Sequence, residues 1–463
     1  MRAAHTVEQV RTAEAALMAT LPEGALMQRA AAGLATVCAD LLGRVYGARV
    51  AVLVGSGDNG GDALFAAARL ARRGARVEAV LLKPEKTHAG GLAAFRAAGG
   101  RVVSEPGPAD LLLDGIVGIG GKPGLRDQAA DLVKSAAAGV VVAVDVPSGL
   151  DVDTGETPAP HMHADVTVTF GTHKVGLLVD PGAAAAGSVH LVDIGLDLPA
   201  APVEALQETD AAALLPVPDR DAHKYTRGVV GVAAGSTEFT GAAVLAVAGA
   251  VGGPCGMVRY DGPDSVAALV RSEHPEVVVG PGRVQSWVVG SGGGGDVAST
   301  LGRVCEDGVP LVVDADALGV LDAPLGVPGL LTPHAGELAR MLEVAREEVE
   351  AAPLRHAREA AARFDATVLL KGRRTLVAAP DGRVRVNVTG NAWLATAGAG
   401  DVLAGLCGSL LAAGLDPLDA GSLGAWLHGA AATLSGVGGP VTASAVAAAL
   451  PLAAAGLLEG HRP

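Results

Sequence analysis

The amino-acid sequence predicts an α/β protein of two domains, each a mostly parallel sheet with helices on both faces. Three observations predict it. Short Val/Leu/Ala runs alternate with Ala-rich helical stretches along nearly the whole chain. Glycine, 65 residues of 463, recurs where an apolar run hands over to a helical one. The length exceeds the 100–200 or so residues that usually make one domain.

The elements can be justified in order. RVAVLVG from Arg49 reads as a buried parallel strand, DALFAAARLARRG as a helix ended by Gly74, and RVEAVLL as the next strand. DLLLDGIVG, GVVVAVDVPSG, DVTVTFG and SVHLVDIG continue the sheet to about residue 197. The Pro-containing run from Leu198 to Pro202 reads as a linker. A second series follows: RGVVGVAAGS, EVVVGPG, WVVGSG, PLVVDADAL, GLLTPH, ATVLLKG, TLVAA and VRVNV, closed by Gly- and Ala-rich helices. The expected domains are residues 1–205 and 208–463. No internal repeat is visible, so the halves are separate domains.

Composition bounds the function. Aromatics make up only 2 % against 50 % hydrophobic residues, so the cores must be built from Ala, Val, Leu and Gly. A net charge of −14 argues against nucleic acid and anionic membranes as partners. It leaves small-molecule nucleotide substrates open, because helix N-termini bind phosphate locally. Cys38, Cys255, Cys305 and Cys407 show no ligand spacing and read as buried small apolar residues of a reduced, cytoplasmic protein. The N-terminus carries Arg2, Glu8 and Arg11 in a helical pattern and lacks the apolar core of a secretion signal. Mean hydropathy is +0.39, and residues 420–458 carry no Asp, Glu, Lys or Arg. Interruptions at Gly438, Gly439, Pro440 and Pro451 make that stretch two or three buried helices rather than a membrane span. Such helices can also pack between subunits, and a homo-oligomer is expected.

In the first half, Gly55-Ser-Gly57-Asp58-Asn59-Gly60-Gly61-Asp62 links a strand to a helix and contains the GxGxxG pattern. The second strand runs into Lys83 rather than the acid that grips a ribose hydroxyl, which disfavours a hydride-transferring dehydrogenase. Asp114 and Ser148 stand at other strand ends. Residues beyond the carboxyl ends of parallel strands share one crevice, so Asn59, Asp114 and Ser148 could meet as hard oxygen donors, with Asp145 beside them as a general acid/base. Lys174 is a candidate assistant, with a solvated surface cation the equally ordinary alternative. His161 and His163 flank Met162, and two ligands without a third read as a loop.

GSGDNGGDALFAAARL, DGIVGIGGKPGLR, DVPSGLDVDTG and TVTFGTHKVGLL, in this order, resemble the NAD(P)H-hydrate epimerase family. The resemblance spans nearly all of residues 1–205. It implies a Rossmann-like doubly wound sheet and interconversion of the R and S forms of NADH or NADPH hydrated at nicotinamide C6. It places Asp58, Asn59, Gly60, Gly61, Asp62, Gly118, Ile119, Gly120, Gly121, Lys122, Pro123, Gly124 and Asp145 around the substrate. Asn59, Asp114 and Ser148 would hold a potassium ion. Asp58 stands where the family usually has Asn, and Ala63 where it has Gly; a charge or methyl facing the ligand would weaken binding.

In the second half, GNAWLATAGAGDVLAGLCGSLLAAG carries the strongest signal. Ala397-Gly398-Ala399-Gly400 leads into an apolar helix beginning near Asp401, so backbone N–H groups and the helix dipole make an anion hole. Asp401 would repel a passively bound phosphate. It makes sense as a base taking a hydroxyl proton while the backbone holds the phosphoryl charge, the alternative being a helix N-cap. The turn resembles the GxGD motif of the ribokinase-like superfamily. Together with HKYTRGVVGVAAGSTEFTGAAVLA, VVVGPG, LVVDADAL, LLTPHAGELARML and VLLKGRRTLVA it is similar to the ADP- or ATP-dependent NAD(P)H-hydrate dehydratases.

This implies a ribokinase-like α/β sandwich over roughly residues 208–460. Ala242, Gly282 in the Gly280–Gly282 segment, His334 and Asp401 would contact the hydrated cofactor. Lys371, Gly372, Arg373, Arg374, Thr375 and Gly400 would bind ADP or ATP, with magnesium. Elimination after phosphorylation of the C6 hydroxyl would restore NAD(P)H, with ADP giving AMP and phosphate. Aligning GPGRV with the family's GPGLG places Val284 where a glycine is usual. GNAWL puts Trp393 near the nucleotide, and Phe239 replaces a frequent Tyr. The weighed alternatives are a small-molecule kinase and a noncatalytic N-terminal binding module.

Overall fold

The computed structural model describes residues 1–135 and 137–459. The chain divides into two compact units, Ala3–Val203 and Glu204–Pro463, the latter with Met1–Arg2.

The first unit is built on seven parallel strands in the order Arg101–Val103, Arg76–Leu81, Arg49–Val54, Ala109–Gly115, Ala138–Val144, Val166–Phe170 and Ser188–Val192. The order runs outward from Arg49–Val54 in one direction and then, from Ala109–Gly115, in the other. The crevice at this reversal, beyond the carboxyl ends of those two strands, is where a doubly wound sheet binds ligands. Small residues let the chain close there. A Cβ on Gly55 would fall 1.8 Å from the Ile116 carbonyl oxygen.

Helices Ala25–Leu42 and Asp58–Arg72 pack on this sheet. Ala25–Leu42 is long and apolar enough to cross a membrane by length and composition. Its Leu26, Ala30, Ala31, Leu34, Ala35 and Cys38 instead lie in the core of the unit. That is the behaviour of an amphipathic core helix.

The second unit carries the order Val278–Val279, Met257–Tyr260, Val229–Ala233, Ser286–Val289, Leu311–Val313, Gly329–Leu331, Thr367–Leu370, Thr375–Ala378 and Val384–Asn387. The first seven pair in parallel and the last two by antiparallel hairpins. Helices Thr240–Val251 and Ala399–Ala412 pack in close contact. A Cβ on Gly405 would meet the Ala246 carbonyl oxygen at 1.9 Å, and one on Gly249 the Val402 carbonyl oxygen at 2.1 Å. Gly408 lies as tightly on Val288. The scarcity of aromatics and abundance of Ala and Gly thus follow from helices packed almost backbone to backbone.

The charge-free stretch forms two helices, Pro417–Gly436 and Ala443–Glu459, with many buried residues on each. Cys38, Cys255 and Cys407 are buried, and all four thiols are free. His161 and His163 lie in a loop, and among the described residues no three His, Cys, Asp or Glu groups converge as a metal cage.

Candidate active sites

At the reversal point of the first sheet, Asp58–Arg72 begins with Asp58 directly after Gly57, whose φ of 102° only glycine adopts readily. Asp58 is exposed in the first turn, where a negative charge is favoured by the helix dipole. Ala63 is fully buried, and its methyl points at Gly115 rather than into the turn; a Cβ on Gly115 would lie 2.5 Å from it. The methyl that stands where a glycine is usual therefore fills core space.

Asp114, Ser148 and Asn59 converge. The Asp114 carboxylate accepts the Ser148 hydroxyl at 2.7 Å, the Ser148 N–H at 2.8 Å and the Ile116 N–H at 3.2 Å. The Ser148 hydroxyl oxygen accepts the Val117 N–H. The Asn59 carboxamide, oriented to satisfy both ends, donates to the Val144 carbonyl at 3.0 Å and accepts the Gly118 N–H at 3.3 Å. Asp114 is wholly buried, and burial pushes its pKa up to about 6 against the pull of these bonds. A dry carboxylate with a hydroxyl and a carboxamide beside it is a hard-oxygen donor set without sulfur or nitrogen ligands, which fits potassium.

The loop Gly118–Gly124 starts beside this group, where the Gly118 N–H meets Asn59. Gly121 N–H closes a turn onto Gly118 O, Gly124 N–H is tied to Gly149 O, and Arg11 lies against Gly120. Ile119 packs at the edge of a small core formed by Val146, Leu150 and Leu177. Lys122 and Pro123 are exposed.

Asp145 sits beside it with φ at +68°, a left-handed conformation that a non-glycine residue rarely adopts. Its Oδ1 accepts Lys174 Nζ at 2.5 Å, Thr169 Oγ1 at 3.0 Å and the Phe170 N–H at 3.3 Å, while Oδ2 takes none of these bonds. Lys174 is 1 % exposed, so it is no surface cation. It also donates to Thr169 Oγ1 and the Phe170 carbonyl. Glu14, on helix Val7–Met18, joins this site without having been marked by any motif. Burial raises its pKa, as do Asp145 and Asp58, against Lys174 and Arg11.

In the second unit, Asp401 lies in the first turn of helix Ala399–Ala412, and the N-cap is Gly398 with φ 84°. Asp401 is therefore not the cap. The N–H groups of Gly400 and Asp401, at the start of the helix, have no carbonyl four residues back within it. Burial and the neighbouring Asp314 raise the Asp401 pKa to about 6, against a Ser291 hydrogen bond and Lys371.

Asp314 is the hub. Its Oδ1 accepts Thr332 Oγ1 at 2.8 Å and Lys371 Nζ at 3.0 Å, and its Oδ2 accepts Ser291 Oγ at 3.3 Å. Burial works against the Lys371 ammonium, but Asp314 and Glu337 outweigh it and hold its pKa above the ordinary lysine range. A Cβ on Gly400 would lie 3.3 Å from Lys371 Nζ, so the lysine reaches the helix N-terminus. Gly372, Arg373 and Arg374 form the turn of the hairpin between Thr367–Leu370 and Thr375–Ala378, and Thr375 Oγ1 bonds back to Gly372 O. His334 caps helix Ala335–Leu342 reciprocally with Glu337, with its ring about half exposed, and pairs with Lys371 along the backbone. Asp314, Ser291 and Glu337 were not singled out from sequence, although Asp314 heads the DADAL run that was.

One expected site residue is not brought there. Gly282 follows the edge strand Val278–Val279, which two strands separate from Ser286–Val289. At about 4.8 Å per strand that is roughly 14 Å. Gly282 instead lies on the Arg259 guanidinium, and Val284 is buried rather than facing a ligand. Both line a cavity of about 600 Å³ with Asp261, Trp287, Arg303 and Asp307, away from Asp401. The glycine run at the active end is Gly290–Gly295. A Cβ on Gly292 would approach Ala242 at 2.8 Å and Phe239 at 2.9 Å, and Gly294 N–H donates to Asp316. Trp393 is 50 % exposed and donates to the Gly438 carbonyl.

A doubly wound sheet with a polar switch-point crevice, joined to a unit whose acid sits at a glycine-lined helix N-terminus, defines a two-domain nucleotide-handling enzyme. Comparison with known proteins narrows the class. Residues 23–176 match the YjeF-related protein N-terminus family and residues 230–439 the NAD(P)H-hydrate dehydratase family. The chain is 48 % identical to the bifunctional NAD(P)H-hydrate repair enzyme Nnr of Mycobacterium leprae, over 94 % of each chain. It is 34 % identical to that of Corynebacterium glutamicum, over 89 % of this chain and 87 % of the other. An ADP/ATP-dependent NAD(P)H-hydrate dehydratase from Bacillus subtilis, co-crystallised with ATP and Mg2+, matches with a TM-score of 0.53 at 31 % identity. The match covers 55 % of this chain and 99 % of that one. The chain belongs to the family of bifunctional NAD(P)H-hydrate repair enzymes.

Proposed function

We propose that the N-terminal unit interconverts the R and S forms of NADH or NADPH hydrated at nicotinamide C6, and that the C-terminal unit dehydrates the S form at the expense of ADP or ATP. One observation carries the reading of the second unit. Asp401, held next to Lys371, Asp314 and Ser291 at a helix N-terminus, is a base set beside a phosphate-binding turn.

Asp401 takes the proton of the C6 hydroxyl as its oxygen attacks the terminal phosphoryl group. A base with pKa about 6 is mostly ionised at neutral pH yet still able to hold a proton. The N–H groups of Gly400 and Asp401 and the Lys371 ammonium hold the charge on the phosphoryl oxygens. The C6–O bond then breaks with its electron pair leaving on phosphate, and loss of a proton from C5 restores the C5=C6 double bond. From ADP the remaining products are AMP and phosphate.

Lys371, Gly372, Arg373, Arg374, Thr375 and Gly400 are assigned to the nucleotide. Ala242, Gly292 in place of Gly282, and His334 are assigned to the hydrated cofactor. Magnesium would supply charge neutralisation on the phosphates, with the exposed carboxylate of Asp316 available at that end.

In the N-terminal unit, Asp145 transfers a proton at the carbinolamine, with its free Oδ2 toward the substrate and Oδ1 anchored by Lys174. The Asp58–Asp62 turn and the Gly118–Gly124 loop surround the substrate. Asn59, Asp114 and Ser148 would hold potassium, which would neutralise Asp114 and brace the turn.

The test is recovery of NADH absorbance from a mixture of R and S hydrates with and without ADP or ATP. Full, nucleotide-dependent recovery supports both activities. Recovery of the S fraction alone removes the epimerase, and recovery without nucleotide removes the phosphorylation mechanism.

A further inference from the structure

The carboxyl of Asp62 is the group at the N-terminal site that has no task in the chemistry above. It lies one turn into helix Asp58–Arg72, four residues beyond Asp58, on the side of the crevice that holds Asp145. Its Oδ1 is sealed from solvent and has no hydrogen-bond partner. A charged oxygen could not be left so, because a buried carboxylate without donors neutralises itself. The charged groups acting on Asp62 are acidic: Asp145, Asp58 one turn earlier on the same helix, and Glu14 from helix Val7–Met18. Burial first, and these three charges after it, push its pKa well above the ordinary range. Asp145 is placed oppositely, with an ammonium at 2.5 Å and two further donors on one oxygen. Two carboxyl groups in one crevice, one with a sealed oxygen that has no donor and one holding an ammonium, are the arrangement of an acid and a base.

We propose that Asp62 is the second proton-transfer residue of the epimerase, giving the proton that releases the C6 hydroxyl while Asp145 receives one from the water that adds on the opposite face. The proposal rests on the epimerase reading of this unit. Asp62 protonates the hydroxyl at C6, and the C6–O bond breaks with its electron pair going to oxygen, which leaves as water. The N1 lone pair forms the C6=N1 iminium. Water then bonds to C6 from the other face, the C=N electrons return to N1, and Asp145 takes the surplus proton. Water bonded to an iminium carbon is strongly acidic, so a carboxylate suffices to take its proton. No oxidant or reductant is required. The product leaves Asp62 ionised and Asp145 protonated, the state that runs the reverse inversion, and solvent exchange resets it. The surrounding negative charge, Asp58 included, stabilises the cationic intermediate.

The experiment uses the full chain and purified R hydrate of NADPH. Epimer ratio is followed by chromatography from pH 5 to 9, in water enriched in oxygen-18. The wild type should lose activity toward high pH as Asp62 ionises, and each inversion should place one oxygen-18 at C6. Asp62→Asn should lower the inversion rate about 100-fold or more and abolish the high-pH limb. Glu14→Gln removes one facing charge and should move that limb to lower pH, a shift that a merely structural role would not produce; it also decides the matter if Asp62→Asn fails to fold. Inversion without oxygen-18, an Asp62→Asn rate within tenfold of wild type, or an unmoved limb in Glu14→Gln overturns the proposal. Absence of any wild-type inversion overturns the epimerase reading itself.

Discussion

Replacing Asp401 by Asn should slow dehydration severely and at the same time stabilise the C-terminal unit. The carboxyl titrates near 6 in the folded protein against 3.8 for an ordinary Asp. A folded pKa raised above the unfolded one means that the ionised form opposes folding. Stability is therefore highest below about pH 4, falls as pH rises toward 6, and stays low above it. A rise of about two pH units is worth roughly 3 kcal/mol, at about 1.4 kcal/mol per pH unit. Screening by solvent and the altered Ser291 bond reduce this, so the expected gain at pH 8 is on the order of 1–2 kcal/mol. In a unit of this size that raises Tm by several degrees, at about 2–4 °C per kcal/mol. The three tryptophans, Trp287, Trp393 and Trp426, all lie in the C-terminal unit, so their fluorescence reports its unfolding alone. Asp401→Asn should melt later than wild type at pH 8, converge with it near pH 4, and lose about 10²- to 10⁴-fold in dehydratase kcat. A variant that melts no later at pH 8, or that gains as much at pH 4, would refute the desolvation of this carboxylate as the cause. Nucleotide-dependent recovery of NADH within about tenfold of the wild-type rate would refute the role as base.

The remaining predictions concern both units. Lys174→Met leaves Asp145 buried without its cation and should destabilise the N-terminal unit by about 3–5 kcal/mol, read by calorimetry of the full chain. Gly292→Ala should raise the dehydratase KM for the S hydrate several-fold or more, because its Cβ would fall 2.8 Å from Ala242 in a backbone at φ 60°. The nearest atoms to a Cβ on Gly282 belong to the Arg259 guanidinium, so Gly282→Ala should leave that KM within about twofold; equal effects would restore Gly282 to the site. Exchanging potassium for choline should slow epimerisation in the wild type but not in Asp114→Asn, measured as the rate of approach to the epimer equilibrium.

Much of the fold and part of each site were legible in the sequence, because both are written in local pattern. Apolar runs of strand length, glycines at the handover to helices and the Gly-Ala-Gly approach to Asp401 concern residues within a few positions of one another. Asp145, Asn59, Asp114 and Ser148 were also readable, since parallel strands deliver their carboxyl ends to one crevice.

Tertiary structure alone decided between two near-identical patterns. EVVVGPG and WVVGSG each read as an apolar strand followed by glycines, and nothing local distinguishes them. Strand order does: Val278–Val279 is an edge strand, while Ser286–Val289 lies beside Leu311–Val313 and so delivers Ser291 and Gly292 to Asp314 and Ala242. The same holds for Lys174, surface cation or buried partner, and for Glu14 and Asp62, whose charge depends on which groups from distant segments face them. Burial and pairing are properties of what packs against a residue, and most of that comes from elsewhere in the chain.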